Sequence, residues 1–185
     1  MTETSAPSPK YRIEQLEKKH NKNLFSCGTE ALDQYLKIQA RQDSKKNVAI
    51  SYVLTQQDSD HVSGFYTISS IGIFPGELPT ELAKKLPRYP VLPGILLGRL
   101  AVDENMKGKK IGAFLLMDAL KRSLAVSHQI GIVAVIVDAK DAISVNFYKH
   151  FGFIPFPEND HRLFLPIGTI TGLWTKNRSN TGPSA

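Results

Sequence analysis

Cysteine is nearly absent from this chain of 185 residues, in which Cys27 is the only one. A single thiol excludes an intramolecular disulfide, as is usual for a cytoplasmic protein. Long apolar runs are also missing, which excludes a transmembrane helix. The polar first residues lack the apolar segment of a signal peptide. No cluster of His, Cys, Asp and Glu has metal-ligand spacing, so we expect a cytoplasmic protein that binds no metal.

Cys27 itself is open to two interpretations. A nucleophilic cysteine needs a base nearby, and His20 is close in sequence. Nothing else in the sequence supports such a pair, so we expect Cys27 to be a small buried apolar residue.

The chain is basic, with a net charge of +6 and a pI of about 9.4. Such a charge favours anionic partners, which include a nucleotide cofactor, a nucleic acid and an acidic protein. Charge alone does not choose among them. The length and a hydrophobic fraction of 42% fit one globular domain. We place this domain at residues 11–174, between flexible polar tails at 1–10 and 175–185.

The pattern of apolar residues predicts an α/β fold in which a mixed sheet is flanked by helices. Strands are predicted at 11–16, 48–55, 62–73, 94–103, 131–139, 152–156 and 161–168. Helices are predicted at 26–43, 80–85, 109–128 and 142–150. The long helix before the strand at 131–139 implies a parallel β-α-β crossover, and its inner face should carry Leu116, Leu120 and Leu124.

The first predicted helix has two stripes. Its apolar stripe contains Leu32, Leu36 and Ala40 with Tyr35 beside them, and Thr29 is its expected N-cap. Its basic stripe contains Lys37, Arg41 and Lys45, extended by Lys46. Such a stripe is ordinarily a solvated helix face, and phosphate binding is the alternative.

The segment between the strand ending at Asp103 and the helix starting near Ile111 has the features of an anion site. The first N–H groups of a helix have no intrahelical partners, and the helix dipole favours negative charge there. Gly108 allows close approach of the backbone, and Lys107, Lys109 and Lys110 add positive charge. A pyrophosphate is the guest that this combination favours.

This segment resembles motif A of the GNAT acetyltransferases, Q/R-x-x-G-x-G/A, which falls here on residues 107–112. Lys107 replaces the Gln or Arg, and Lys110 replaces the central glycine. The resemblance implies acetyl-CoA as the cofactor, with the pantetheine arm beside the strand. The residues implied to bind it are Leu100, Ala101, Val102, Lys107, Gly108, Lys109, Lys110, Ile111, Gly112 and Ala113.

A second resemblance lies at residues 143–156, ISVNFYKHFGFIPF, which is similar to the end of GNAT motif B. Tyr148 occupies the position of the tyrosine that, in this family, protonates the leaving thiolate. A phenol is a reasonable donor to a thiolate. The alternative is a core aromatic, but with motif A correctly placed upstream we favour the catalytic role.

Over residues 11–174 the chain resembles the GNAT toxins of bacterial toxin–antitoxin modules. The long matching strings begin at Phe25, Gly98 and Phe147. The resemblance implies acetylation of the α-amine of aminoacyl-tRNA, a ribbon-helix-helix antitoxin and a homodimer. The residues expected to meet tRNA are Lys37, Arg41, Lys45, Lys46, Arg88 and Arg99. Arg99 interrupts an apolar strand, so it should either find an acidic partner or face the substrate.

No convincing general base is evident in the sequence. Asp103 and Glu104 lie at a strand end, and Asp138 is a further candidate. This fits an α-amine, which titrates at about 7.7–8.0 and so is partly neutral in the cell. Two alternatives remain: a GNAT enzyme acting on a protein or small-molecule amine, and a catalytically silent GNAT-like binding module, which the lysine at position 110 supports.

Overall fold

A computed structural model describes the backbone of residues 10–179 and the side chains of residues 10–173. Most of the expected tails, residues 1–9 and 180–185, lie outside the described part. The seven strands are β1 Tyr11–Gln15, β2 Ile50–Gln56, β3 Val62–Ile73, β4 Leu92–Val102, β5 Ala134–Asp138, β6 Ile154–Phe156 and β7 Asn159–Pro166. The helices are α1 Glu30–Gln34, α2 Ala40–Lys45, α3 Thr80–Ala83, α4 Ile111–Ser127, α5 Ala142–His150 and α6 Ile167–Ser179.

The strands form one sheet in the order β1-β2-β3-β4-β5-β7-β6. Strands β1, β2 and β3 pair antiparallel, and β7 pairs antiparallel with both β5 and β6. Strands β4 and β5 are parallel and are connected through α4, which confirms the predicted crossover and the mixed sheet. Their register runs from Gly94 to Leu97, so the end of β4 at residues 98–102 lies beyond it.

Residues of the sheet and helices divide into two compact units. The first comprises the described residues up to Ile68 together with Arg99–Asp118, and the second comprises Ser69–Gly98 and the described residues from Ala119. In the first unit, the ring of Phe65 lies edge-on to Phe25 at 5.5 Å and is stacked with Tyr35 at 6.3 Å. These buried rings pack with Leu36 and Ala40, which confirms the apolar stripe of the first helix.

The second unit has its own core beneath the β5–β7–β6 part of the sheet. Ile73, Leu92 and Ile136 are buried there with two aromatic residues, Phe156 and Phe164, whose ring centroids are 5.1 Å apart. Strands β5 and β7 are buried continuously, over Ala134–Val137 and Leu163–Leu165, as expected of strands that are covered on both faces.

Three departures from the sequence prediction concern the helices. A π-helical turn, Tyr35–Gln39, joins α1 to α2 within the first predicted helix. In α4, Leu124 is only half-buried, and Ser123 is buried instead, with its hydroxyl donating to the Ala119 carbonyl at 2.8 Å. Helix α6 was not predicted because its glycines and threonines are weak helix formers. It extends into the first residues of the segment expected to be a tail, and Ile170 anchors it by complete burial.

Candidate active site

The loop formed by residues 107–110, called here the cofactor loop, joins the end of β4 to α4. Gly108 has a φ of 77°, and no atom lies within 4 Å of the position that a Cβ would occupy there. Its backbone is therefore open to a ligand. All residues of the loop are exposed, whereas Ile111, the first residue of α4, is buried and holds the helix start in place.

Lys110 occupies the position of the glycine in motif A and adopts the conformation that a glycine favours. Its φ is 59°, in the left-handed region that costs an L-residue about 1–2 kcal/mol. Its carbonyl accepts the N–H of Phe114 at 3.1 Å, so Lys110 begins the hydrogen-bonding pattern of α4. Across the described residues, the Lys110 ammonium has no hydrogen-bond or ion-pair partner, which leaves its charge at the start of the helix uncompensated.

The carboxylates considered as general bases are engaged elsewhere. Asp103 is buried and accepts hydrogen bonds from the N–H of Ser26 and from both the N–H and the side-chain amide of Asn105, at 2.9–3.1 Å. Glu104 is half-exposed and forms an ion pair with Lys107, 3.5 Å away. Asp138 is similarly exposed and lies 3.8 Å from Arg162. None of the three is a free, desolvated base.

Tyr148 lies in the last turn of α5, which ends in a Schellman motif. The N–H of Gly152 binds the Lys149 carbonyl at 3.0 Å, and the N–H of Phe153 binds the Tyr148 carbonyl at 3.2 Å. Gly152 supplies the required left-handed residue, with a φ of 88°. The rings of Phe153 and Tyr148 meet edge to face at 5.4 Å, which is the apolar contact that usually accompanies this motif. The Gly-Phe pair thus fixes the position of the tyrosine ring.

The hydroxyl of Tyr148 is unpartnered within residues 10–173. Tyr148 is 8% exposed and is flanked by the rings of Phe147 and Phe153. Among the described residues, none forms a hydrogen bond with its hydroxyl. Burial raises the pKa of Tyr148 far above its ordinary value, since a phenolate would be poorly solvated there. The group therefore keeps its proton throughout the physiological pH range.

The basic residues predicted to meet tRNA fall into different environments. Lys37 and Arg41 are half-buried on the π-helical turn and α2, whereas Lys45 and Lys46 are exposed at the end of α2. Arg88 is exposed in the loop after α3, in the second unit. The first unit brings Arg99 of β4 to the first helix.

Arg99 is shielded by an aromatic ring, and it has no acidic partner among residues 10–173. Its guanidinium carbon lies 3.6 Å from the centroid of the Tyr35 ring, in a cation–π stack. The Tyr35 hydroxyl donates to Asp43 at 3.0 Å, which orients the ring. In the described part of the chain, the N–H groups of Arg99 make no hydrogen bond or ion pair. The arginine is thus held flat, with its donors available.

Sequence patterns missed the buried carboxylates around residues 26–28. Asp33 accepts the N–H of Cys27 at 2.9 Å and the hydroxyl of Ser26 at 3.3 Å. Thr29 takes the expected N-cap position, but its side chain makes no capping hydrogen bond. Cys27 is half-buried against the core of the first unit rather than fully buried. An acidic residue in the first helical turn was the one available signal for Asp33.

Two features are not found among the residues described. No group of three or more His, Cys, Asp and Glu side chains there is arranged to hold a metal ion. No helix in residues 10–179 combines the length and apolarity needed to span a membrane.

Comparison with known proteins places this arrangement in a family. Residues 93–162 match the model of the acetyltransferase (GNAT) domain, which includes both the cofactor loop and Tyr148. A probable toxin TacT of Sinorhizobium fredii is 33% identical over 84% of this chain and 90% of its own length. The chain belongs to the GNAT acetyltransferases. A tRNA-acetylating toxin of Mycobacterium tuberculosis is 35% identical over 76% of this chain and 82% of its own length.

Solved GNAT structures extend the similarity to three dimensions. AtaT complexed with acetyl-methionyl-tRNAfMet superposes with a TM-score of 0.83 at 31% identity, over 89% of this chain and 99% of that one. A Tyr-to-Phe mutant of AtaT bound to the C-terminus of the antitoxin AtaR and acetyl-CoA gives 0.75 at 28% identity, over 89% and 98%. The predicted GNAT fold and acetyltransferase class are confirmed.

Proposed function

We propose that this GNAT enzyme is the toxin of a toxin–antitoxin pair, which transfers acetyl from acetyl-CoA to the α-amine of aminoacyl-tRNA and so blocks translation. The observation that carries this proposal is the pairing of a GNAT fold with an arginine, Arg99, that is preorganised by its stack on Tyr35 beside a basic helix. The similarity to a tRNA-acetylating toxin and to AtaT complexed with acetyl-methionyl-tRNAfMet, over most of each chain, supports the same substrate.

The residues present fit acetyl-CoA. The open backbone at Gly108, the uncompensated Lys110 ammonium and the free N–H groups at the start of α4 match a pyrophosphate in charge and hydrogen bonding. Residues Leu100, Ala101 and Val102 lie beyond the β4–β5 register, where their main-chain groups can bind a pantetheine arm. Residues 107–113 hold the phosphates in this account. Bound acetyl-CoA supplies the activated acetyl thioester, which leaves a thiolate after transfer.

Tyr148 is assigned as the proton donor to the sulfur of that thiolate, and the proton that the amine loses on acetylation replaces the one that the phenol gives up. A partnerless phenol whose proton is retained by burial is suited to donate one hydrogen bond to a group that becomes negative during the reaction. The amine needs no carboxylate base, because a substrate α-amine is already partly neutral near pH 7.7–8.0, its reference range. The engagement of Asp103, Glu104 and Asp138 in other contacts is consistent with this assignment.

The tRNA contacts are assigned to the basic residues of the first helix and to Arg99. A stacked guanidinium presents its N–H groups in a fixed plane, which suits a phosphate better than a mobile lysine does. Lys37, Arg41, Lys45 and Lys46 add charge along the same helix, and Arg88 contributes from its exposed loop. The partners we propose are a ribbon-helix-helix antitoxin and a second copy of this chain, in the cytoplasm.

An in-vitro translation assay tests this function. Purified protein is added with and without acetyl-CoA, and the amino acids carried by tRNA are analysed by mass. We expect arrest only with acetyl-CoA, together with acetylation of one or a few aminoacyl species. Unimpaired translation with unmodified aminoacyl-tRNA would instead favour a protein or small-molecule amine as the acceptor. A chain that binds no acetyl-CoA would be a silent binding module.

A further inference from the structure

The loop Ser26–Gly28, called here the hinge loop, precedes α1 and is held by two buried carboxylates from different elements of the chain. Asp103, at the end of β4, accepts the N–H of Ser26 at 3.1 Å. Asp33, in α1, accepts the next N–H, that of Cys27, at 2.9 Å. Asp33 and Asp103 are only 5% and 8% exposed. Two buried carboxylates on consecutive N–H groups fix both the position and the direction of this short segment.

Further bonds connect the hinge loop to the chain just before the cofactor loop. The N–H of Glu104 binds the Ser26 carbonyl at 2.8 Å, so both main-chain groups of Ser26 are used by residues 103 and 104. The N–H of Asp103 in turn binds the Ser63 carbonyl of β3 at 3.0 Å, which secures Asp103 to the sheet.

The first residue of the cofactor loop reaches back to the hinge loop. A Cβ on Gly28 would lie 2.7 Å from the Glu104 carboxylate and 3.7 Å from the Lys107 ammonium. Gly28 also has a φ of 80°, so its missing side chain and its conformation both let the Glu104–Lys107 ion pair lie directly over it. The hinge loop therefore packs against the Glu104–Lys107 ion pair at Gly28.

We propose that Asp33 and Asp103 are positioning residues, which hold the cofactor loop in its acetyl-CoA-binding geometry through the hinge loop. This rests on the proposed cofactor assignment. The two carboxylates differ in one informative respect. Asp103 adjoins the cofactor loop along the chain, whereas in the described structure Asp33 makes its hydrogen bonds to the hinge loop and none to residues 107–110. An effect of Asp33 on acetyl-CoA binding must therefore pass through residues 26–28.

Binding of acetyl-CoA to the full chain tests the proposal in Asp33→Asn and Asp103→Asn. Asparagine has the same shape as aspartate but carries no charge. Either its NH2 group faces a main-chain N–H and the hydrogen bond is lost, or its oxygen accepts a weaker bond, and in both cases we expect the hinge loop to be displaced. Since displacements near 1 Å can reduce function about 100-fold, we expect the Kd for acetyl-CoA to rise about 10-fold or more. The kcat at saturating acetyl-CoA and the KM for aminoacyl-tRNA should change by less than about twofold.

Two further variants make the result decisive. Glu14→Gln is the matched control, because Glu14 in the same unit also accepts from His20 and Lys19, both at 2.8 Å, but contacts neither loop. Asn105→Ala removes one donor to Asp103 from an exposed residue, and it tests the same linkage if Asp103→Asn does not fold. We expect wild-type affinity in the first and a few-fold loss in the second.

Each outcome bears on one claim. Weak acetyl-CoA binding by both Asp variants, with normal kcat and a normal Glu14→Gln control, supports the positioning role. Wild-type affinity in folded Asp33→Asn overturns it, as does an equal loss of affinity in Glu14→Gln, which would indicate a general loss of stability. A wild-type chain that does not bind acetyl-CoA would refute the proposed function itself.

Discussion

Replacement of Lys110 by glycine should make the protein more stable and its cofactor affinity lower. The substitution removes a left-handed lysine, whose conformation costs about 1–2 kcal/mol. Glycine also destabilises the folded protein by about 0.4–1 kcal/mol, because it increases the conformational entropy of the unfolded chain. The expected net gain is about 0.5–1 kcal/mol. For a chain of this size it corresponds to a rise in Tm of about 1–4 °C.

The loss of affinity comes from the Lys110 ammonium. This group has no ion-pair partner in the described residues, so its removal breaks nothing in the apo protein. An exposed ion pair with a phosphate is worth about 0.4–1 kcal/mol, so we expect the Kd for acetyl-CoA to rise about 2- to 5-fold. The effect should diminish at high salt, since salt screens exposed charges.

Thermal unfolding of the apo protein and calorimetric titration with acetyl-CoA measure the two effects separately. Lys110→Ala is the matched control, because it removes the charge but keeps a side chain in the left-handed conformation. It should lose affinity as glycine does without the gain in Tm. A lower Tm for Lys110→Gly would refute the backbone argument, and unchanged affinity in both variants would refute the phosphate contact.

Four further predictions concern the active residues. Tyr148→Phe should reduce kcat about 100-fold but leave Tm unchanged or higher, because the Tyr148 hydroxyl has no described partner. Tyr89→Phe, at an exposed position, is the control, and full activity in Tyr148→Phe would exclude the acid role. The pH profile of kcat/KM should rise to a plateau at or below about pH 8, as the substrate amine loses its proton. Because burial raises the pKa of Tyr148, we expect no decline up to about pH 10, and an earlier alkaline decline would contradict this. Gly152→Ala should lower the free energy of unfolding by about 1–2 kcal/mol in denaturant titrations, because the φ of 88° is unfavourable for alanine. The new Cβ would lie at an ordinary 3.8 Å from Leu165, so no steric clash adds to this cost, and a neutral effect would count against the Schellman motif. Arg99→Lys should raise the KM for aminoacyl-tRNA about fivefold and leave the KM for acetyl-CoA unchanged, because lysine cannot form the planar stack on Tyr35. An equal change in both KM values would contradict a tRNA contact.

Local patterns in the sequence were sufficient for most of the elements. Strand β3 at 62–73 and helix α5 at 142–150 have the predicted bounds, because turn-forming residues delimit each of these apolar segments. The glycine of the cofactor loop and the Gly-Phe pair after Tyr148 also act locally, through backbone conformation. Their backbone conformations were therefore predictable from motifs only a few residues long.

Contacts between distant parts of the chain were not predictable in this way. Ser26 and Asp103 are separated by 77 positions, and no spacing rule connects them. Arg99 illustrates the same limit. An arginine in an apolar strand was expected to find a carboxylate or face the substrate, and sequence patterns did not indicate that the ring of Tyr35 would shield its charge and leave its N–H groups for the substrate that we propose. The π-helical turn that places Tyr35 likewise has no reliable signature in sequence.

The most direct test of the central claim is the mass of aminoacyl-tRNA after incubation with the purified protein and acetyl-CoA. Wild-type protein should add one acetyl group to the α-amine of a restricted set of aminoacyl-tRNAs, and Tyr148→Phe should leave the same tRNAs almost unmodified. Unmodified aminoacyl-tRNA in the presence of a protein that binds acetyl-CoA and acetylates other amines would contradict the account.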